Sequence, residues 1–302
     1  MTDPEKPEGF RSGFVSLIGR PNVGKSTLLN LLLGQKIAII SPKPQTTRNR
    51  ILGIKNLPEG QIIFLDTPGI HRSGNLLNQS MVRTALATLQ EVDVVCLLIE
   101  ANDPDHEEND WIVENLQKVR KPVFLAINKI DLVPKGNLLS IMERFSQKRP
   151  FEQIIPISAV SGDGVDILVR ELLKILPEGP RLFPEDMVTD LPERFLTAEL
   201  IREKVFQLTR EEIPYATAVV IEEFKEREEK NLVVIRATIQ VERETQKGIL
   251  IGEKGKRLKE IGRLAREEME ALLGVRIFLE LWVKVEKNWR GDALALRRLG
   301  FQ

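Results

Sequence analysis

The sequence predicts an α/β fold in two parts, a three-layer domain on a mostly parallel sheet followed by a smaller α+β domain. Three observations carry this. From Phe14 to Leu176 short apolar runs alternate with stretches of helical period, the pattern of a parallel sheet covered on both faces. Pro177, Pro180 and Pro184 then break the periodicity, and prolines stop helices and stiffen connections. Beyond them the order becomes helix, strand, strand, helix, helix, strand. The expected division is residues 10–176, a linker at 177–191, and 192–302.

In chain order, Phe14 to Ile18 reads as a buried strand and Ser26 to Leu33 as a helix, with Gly34 as its C-cap. The polar stretch Gln35 to Gln45, broken by Pro42 and Pro44, reads as a loop. Ile51 to Asn56 and Gln61 to Leu65 flank Pro58-Glu59-Gly60 as a hairpin. A second polar loop, Ile70 to Gln79, precedes a helix expected at Ser80 to Gln90. Strands at Val92 to Ala101, Val123 to Ile127 and Gln153 to Ile157 alternate with helices at Asp105 to Val119, Asn137 to Ser146 and Val165 to Leu176. In the second part, a helix at Glu193 to Thr209 is followed by strands at Thr217 to Phe224 and Asn231 to Val241. A short helix to Ile251, a turn at Gly252 to Gly255, a longer helix to Leu273 and a strand at Val275 to Val285 complete it.

At 302 residues the chain can bury two cores. Its 44 acidic and 44 basic residues balance, so any electrostatic argument about partners must be local. The first eight residues hold no apolar stretch of signal-peptide type, and the longest apolar run of the first half, Val94 to Ile99, is far too short to span a membrane. The single cysteine, Cys96, lies in that run and reads as core, which excludes a disulfide framework. His71 and His106 have no partner at metal spacing and read as loop or surface residues. The expectation is a cytoplasmic protein.

The chemistry gathers at the ends of the predicted strands. Gly19-Arg20-Pro21-Asn22-Val23-Gly24-Lys25-Ser26 fills the pattern G-x-x-x-x-G-K-[ST] between a strand and a helix, with Thr27 following. Such a loop aims backbone N–H groups and a helix N-terminus at one spot, which suits phosphates. Lys25 would reach the β- and γ-phosphates and the Ser26 hydroxyl would hold Mg²⁺. Asp66-Thr67-Pro68-Gly69 ends another strand, where a carboxylate can hold Mg²⁺ through water and a glycine N–H can meet a γ-phosphate. Asn128-Lys129-Ile130-Asp131 selects the base, because the Asp131 carboxylate can accept from guanine N1–H and the N2 amino group, and adenine lacks both donors. Asn128 and Lys129 would brace that loop, and the Ala159 N–H, after Ser158, would reach guanine O6.

Together with Thr46-Thr47, these stretches resemble the five nucleotide-binding motifs of translation-factor-type GTPases. The resemblance implies binding of GTP and GDP, hydrolysis by in-line attack of water, and a switch threonine completing the Mg²⁺ shell; Thr46 and Thr47 both qualify and Thr47 is favoured. The catalytic assignment is Lys25 with Thr47. One departure is Ile70, where Ras-like members carry a water-orienting glutamine. This is similar to the hydrophobic-substituted subgroup, in which Asn22 matches an asparagine that ligates K⁺ in some members. Asn22 as a K⁺ ligand and Asn22 as a residue that tolerates a turn both stand open.

In the second part, Gly252-Glu253-Lys254-Gly255 is the only pair of glycines three apart in the chain. From Lys247 to Arg266 seven basic residues, including Lys256 and Arg257, face Glu253 and Glu260 alone. The G-x-x-G turn between helices resembles a type II KH module, where backbone passes close to a nucleic-acid strand. The whole chain from Gly19 to Phe301 is similar to a family of bacterial GTPases with a C-terminal KH domain. That resemblance implies a monomeric small-subunit assembly factor binding near the 3′ end of 16S ribosomal RNA, with peripheral membrane association also known in the family. The alternatives are a P-loop ATPase or kinase, which Asp131 argues against, and a GTPase whose second domain binds a protein or a membrane.

Overall fold

The computed structural model describes residues 9–41, 43, 46–69 and 76–301. The chain divides into two compact units, the second being Leu191–Gln302 with the short segments Ile39–Thr46 and Asn75–Asn78.

The first unit is built from β1 (Arg11–Ile18), α1 (Lys25–Leu33), β2 (Ile51–Leu57), β3 (Gly60–Asp66) and α2 (Leu76–Glu91). It continues with β4 (Val94–Glu100), α3 (Glu107–Leu116), β5 (Val123–Asn128), α4 (Gly136–Lys148), β6 (Gln153–Pro156) and α5 (Val165–Ile175). Among the described residues the sheet order is β2-β3-β1-β4-β5-β6. Only β2 runs antiparallel, and every residue of β3, β4 and β5 is buried, as strands covered on both faces require. The chain crosses from one side of β1 to the other, so the loop after β1 opens at the crevice where α/β sheets bind ligands. Cys96 is wholly buried in β4, as a core residue should be.

Some boundaries differ from expectation for local reasons. The helix expected at Ser80 begins at Leu76, because Leu77 and Met81, one turn apart, are both buried and extend its apolar face. The hairpin turn is only Pro58-Glu59, since Gly60 already pairs with Leu57. His106 is the N-cap of α3, its Nδ1 accepting from Glu108 N–H at 3.2 Å. His71 lies outside the described residues, as do Ile70, Pro42, Pro44 and Gln45.

The stretch expected to be a linker is bound to the first unit along its length. Ser12 N–H donates to the Pro177 carbonyl at 3.1 Å, and Gly179 N–H to Phe10 at 3.0 Å. The buried Gln61 amide accepts from Leu182 and Phe183 N–H at 2.8 and 2.9 Å. Ile54 N–H then donates to Val188 at 2.8 Å, so this strap covers the outer edge of β2.

The second unit comprises α6 (Glu193–Leu208), β7 (Ala218–Arg227), β8 (Leu232–Val241), α7 (Glu244–Ile251), α8 (Lys256–Leu273), β9 (Arg276–Val285) and α9 (Ala293–Arg298). β8 lies between β7, antiparallel, and β9, parallel. Ile201, Val205, Ile235, Ile239, Ile261 and Met269 form its core. The terminal α9 is an addition to the expected elements. Asp292 caps it at Leu294 N–H (2.8 Å), and fully buried Trp289 donates Nε1–H to Ala216 at 3.0 Å.

Candidate functional site

Gly19 to Ser26 joins β1 to α1, and the positive φ of Gly24 (99°) turns the chain into the helix. A Cβ at Gly24 would lie 2.2 Å from Asn128 Nδ2, so this position takes only glycine. Lys25 is 6 % exposed and its Nζ donates to the Gly19 and Arg20 carbonyls, both at 3.0 Å. Burial lowers its pKa to about 8 despite the nearby Asp66 carboxylate. Asn22 sits at φ 66°, a left-handed conformation that asparagine tolerates.

Three oxygens converge beside this loop. Ser26 Oγ donates to Asp66 Oδ2 at 2.7 Å and lies 2.8 Å from Thr47 Oγ1, which is 3.4 Å from the same carboxylate oxygen. Asp66 is fully buried, and burial raises its pKa to about 6, with Lys25 and the two hydroxyls opposing the shift. Its Oδ1 is buried without a hydrogen-bond partner. An orphaned carboxylate oxygen beside two hydroxyls is a hard-oxygen cradle that fits Mg²⁺. Thr67, by contrast, spends its hydroxyl on the Leu17 carbonyl at 2.9 Å, bracing the loop start. Gly69 packs against Pro21, which a Cβ would approach to 2.7 Å, and so keeps the turn at 66–69 against the loop at 19–26.

The loops at 128–131 and 158–159 are tied to the loop at 19–26 by Asn128, which is 2 % exposed. Its Nδ2 donates to Val23 at 2.7 Å and its Oδ1 accepts from Ala159 N–H at 2.9 Å. The Ala159 N–H, expected to meet guanine O6, is therefore used by Asn128 here. Asp131 is exposed, and its Oδ1 accepts from Ser158 Oγ at 2.6 Å, which orients the carboxylate. Sequence reasoning passes over Glu100, at the end of β4. This carboxylate, 8 % exposed, accepts from Arg20 Nη2 at 3.2 Å and from Lys129 Nζ, holding one side chain from each loop.

In the second unit, Gly252 (φ 70°), Lys254 (φ 50°) and Gly255 (φ 76°) form the tight turn between α7 and α8, which includes Glu253. A Cβ at Gly252 would come within 2.8 Å of Arg257 Cβ. Next to it a cleft of about 620 Å³ runs between α8 and β9, floored by Leu258, Ile277, Leu279 and Leu281 and rimmed by Lys259, Arg263 and Arg266. Two basic residues of this region are engaged within the protein. Arg257 donates to the Ile249 carbonyl, and Arg263 is held by Glu260 and Glu267. Gly262, in the middle of α8, opens the cleft, since a Cβ there would touch Leu281 Cδ1 at 3.4 Å. A glycine inside a strong helical pattern was the available signal for it.

The chain matches the family of 50S ribosome-binding GTPases over residues 14–129 and that of KH domains over residues 212–290. It is 57 % identical to the GTPase Era of Geobacter metallireducens, over 97 % of this chain and 98 % of that protein. It is 54 % identical to the GTPase Era of Syntrophus aciditrophicus, over 97 % and 95 %. Its structure is similar to that of a point variant of Aquifex aeolicus Era bound to GDP·AlF4⁻ (TM-score 0.93, 50 % identity, 96 % and 99 % covered). It is equally similar to a crystal structure of Era in complex with MgGDPNP and nucleotides 1506–1542 of 16S ribosomal RNA (TM-score 0.94, 49 % identity, 97 % and 99 % covered).

Proposed function

The chain belongs to the Era family of GTPases, and on that premise we propose that its KH domain binds single-stranded 16S ribosomal RNA near the 3′ end during small-subunit assembly, with GTP hydrolysis as the switch. The observation that carries the RNA reading is the cleft beside Gly252-Glu253-Lys254-Gly255, apolar on its floor and basic on its rim. Bases can lie on such a floor while backbone crosses the glycine turn. The Era complex with that RNA supports the choice of partner. Its place of work is the cytoplasm, on the ribosomal subunit, and peripheral contact with a membrane would be secondary.

In the nucleotide site, the proposed role of Lys25 is to exchange its two loop carbonyls for β- and γ-phosphate oxygens, neutralising charge as the leaving group departs. Ser26, Thr47 and Asp66 would hold Mg²⁺, Asp66 through water; when bound, the ion stabilises charge on the transferring phosphoryl group. Asp131 reads guanine, with Ser158 fixing its orientation. For the group that replaces a glutamine at Ile70, the proposal is K⁺ beside Asn22. Hydrolysis would then run faster in KCl than in NaCl at equal ionic strength, and equal rates would remove K⁺ from the mechanism.

The test of the whole reading is titration of the full chain with RNA of the 1506–1542 region, for the parent and for Gly252→Asp. The substitution should lower RNA affinity at least tenfold and leave GTP binding intact, with circular dichroism establishing that the variant folds. Equal RNA affinity in a folded variant would overturn it.

A further inference from the structure

The outer face of the second unit's sheet carries two large aromatic side chains in solvent. Phe278 is 50 % exposed and Trp282 48 % exposed, both on β9, the edge strand. Strand register places them on the face opposite the core. One rung runs Lys225, Val234, Phe278 and another runs Val220, Thr238, Trp282, while the alternate residues Ile277, Leu279 and Leu281 pack inward. The bulge between Ile221 and Glu223 restores the same facing on β7.

The rung between the two rings is charged and internally paired, Arg236 being bound by Glu223 at 2.8 Å and Glu280 at 2.7 Å. Those are the acidic groups of this face along the register. Its remaining register-paired charges are cations, Lys225 across Val234 from Phe278, Lys284 two residues beyond Trp282, and Arg227 and Arg276 on the outermost rung, while the exposed Glu222 sits in the bulge outside the register. Two separated rings in a net positive field are not the contiguous apolar patch of a protein interface. They are the arrangement that stacks bases and follows a phosphate chain. Phe278 also borders the cleft between α8 and β9, so a strand leaving that cleft over the edge of β9 meets this ring first.

We propose that the outer sheet face is a second single-stranded RNA site, continuous with the cleft, in which Phe278 and Trp282 each stack a base. The rings lie four residues apart on one strand, about 13 Å, so they take bases from different nucleotides. This rests on the RNA reading of the cleft and lengthens the bound strand beyond it.

The test uses the full chain and two single-stranded oligonucleotides from the 16S 3′ region, one of four nucleotides to fill the cleft and one of twelve. Trp282→Ala should bind the short one as the parent does and the long one at least fivefold more weakly, with Trp282→Phe, which keeps a ring, near the parent. Equal affinity of Trp282→Ala and parent for the long oligonucleotide would overturn the proposal and leave the face to a protein partner. A parent that binds neither oligonucleotide would overturn the RNA reading of the cleft, and this extension with it.

Discussion

The Asn128 side-chain amide donates to the Val23 carbonyl at 2.7 Å, tying the loop proposed to read the base to the loop proposed to cradle phosphates. Because Asn128 also accepts from Ala159 N–H, Asn128→Ala would leave a buried carbonyl and a buried N–H unpaired. Each costs about 1–3 kcal/mol. GTP and GDP affinity should both fall by one to two orders of magnitude in a nucleotide titration, and a smaller loss for GTP than for GDP would contradict this shared strut.

Asp131→Asn tests base selection. An amide presents a donor where guanine also has one, so preference should move from GTP toward XTP. Unchanged GTP affinity with no gain for XTP would remove Asp131 from the base site.

The buried Asp66 makes a pH-dependent prediction. Its pKa is about 6 in the folded protein against an ordinary value of 3.8, so the folded state holds the proton more tightly. Stability contributed by this group therefore falls as pH rises through that window, and the full cost is present above about pH 6. Asp66→Asn removes the cost. It should stabilise the nucleotide-free protein by about 1–3 kcal/mol at pH 8 and by almost nothing below pH 4, as read by denaturant melts. The same variant should lose the Mg²⁺ dependence of nucleotide binding.

Glu100 neutralises cations from two loops; its removal leaves Lys129 without a carboxylate, while Arg20 keeps Asp103 at 2.7 Å. Glu100→Gln should cost about 1–3 kcal/mol in chemical denaturation and speed GDP release severalfold. Release at the parent rate would mean that Arg20 and Lys129 hold their places without it.

Gly262→Ala should act in opposite directions on stability and binding. Alanine in a helix interior gains about 0.5–1 kcal/mol over glycine, while the added methyl narrows the cleft against Leu281. A higher melting temperature with severalfold weaker RNA binding is expected.

The strand-end loops were readable from the sequence because Lys25, Ser26, Asp66 and Asn128 sit in motifs whose spacing is fixed by a strand and a turn. Glu100 was not, since its partner Arg20 is 80 residues away and only the pairing of β1 with β4 brings the two loops together. The helix at Ala293–Arg298 escapes the sequence because it is six residues long and buries only Ala295 and Leu296, too few for a period to show. The stretch after α5 read as a linker for its prolines. What the prolines could not disclose is that its backbone partners are Ser12, Ile54 and Gln61, distant in sequence.

That strap dictates how the GTPase half can be produced alone. A chain truncated after residue 176 would strip Val188 from Ile54 and Leu182 and Phe183 from the buried Gln61 amide. It would bare the outer edge of β2, and a naked edge strand is a template on which further copies of the chain can aggregate. Ending instead after residue 190, where the first unit stops, keeps that edge covered and should give a soluble, monodisperse product.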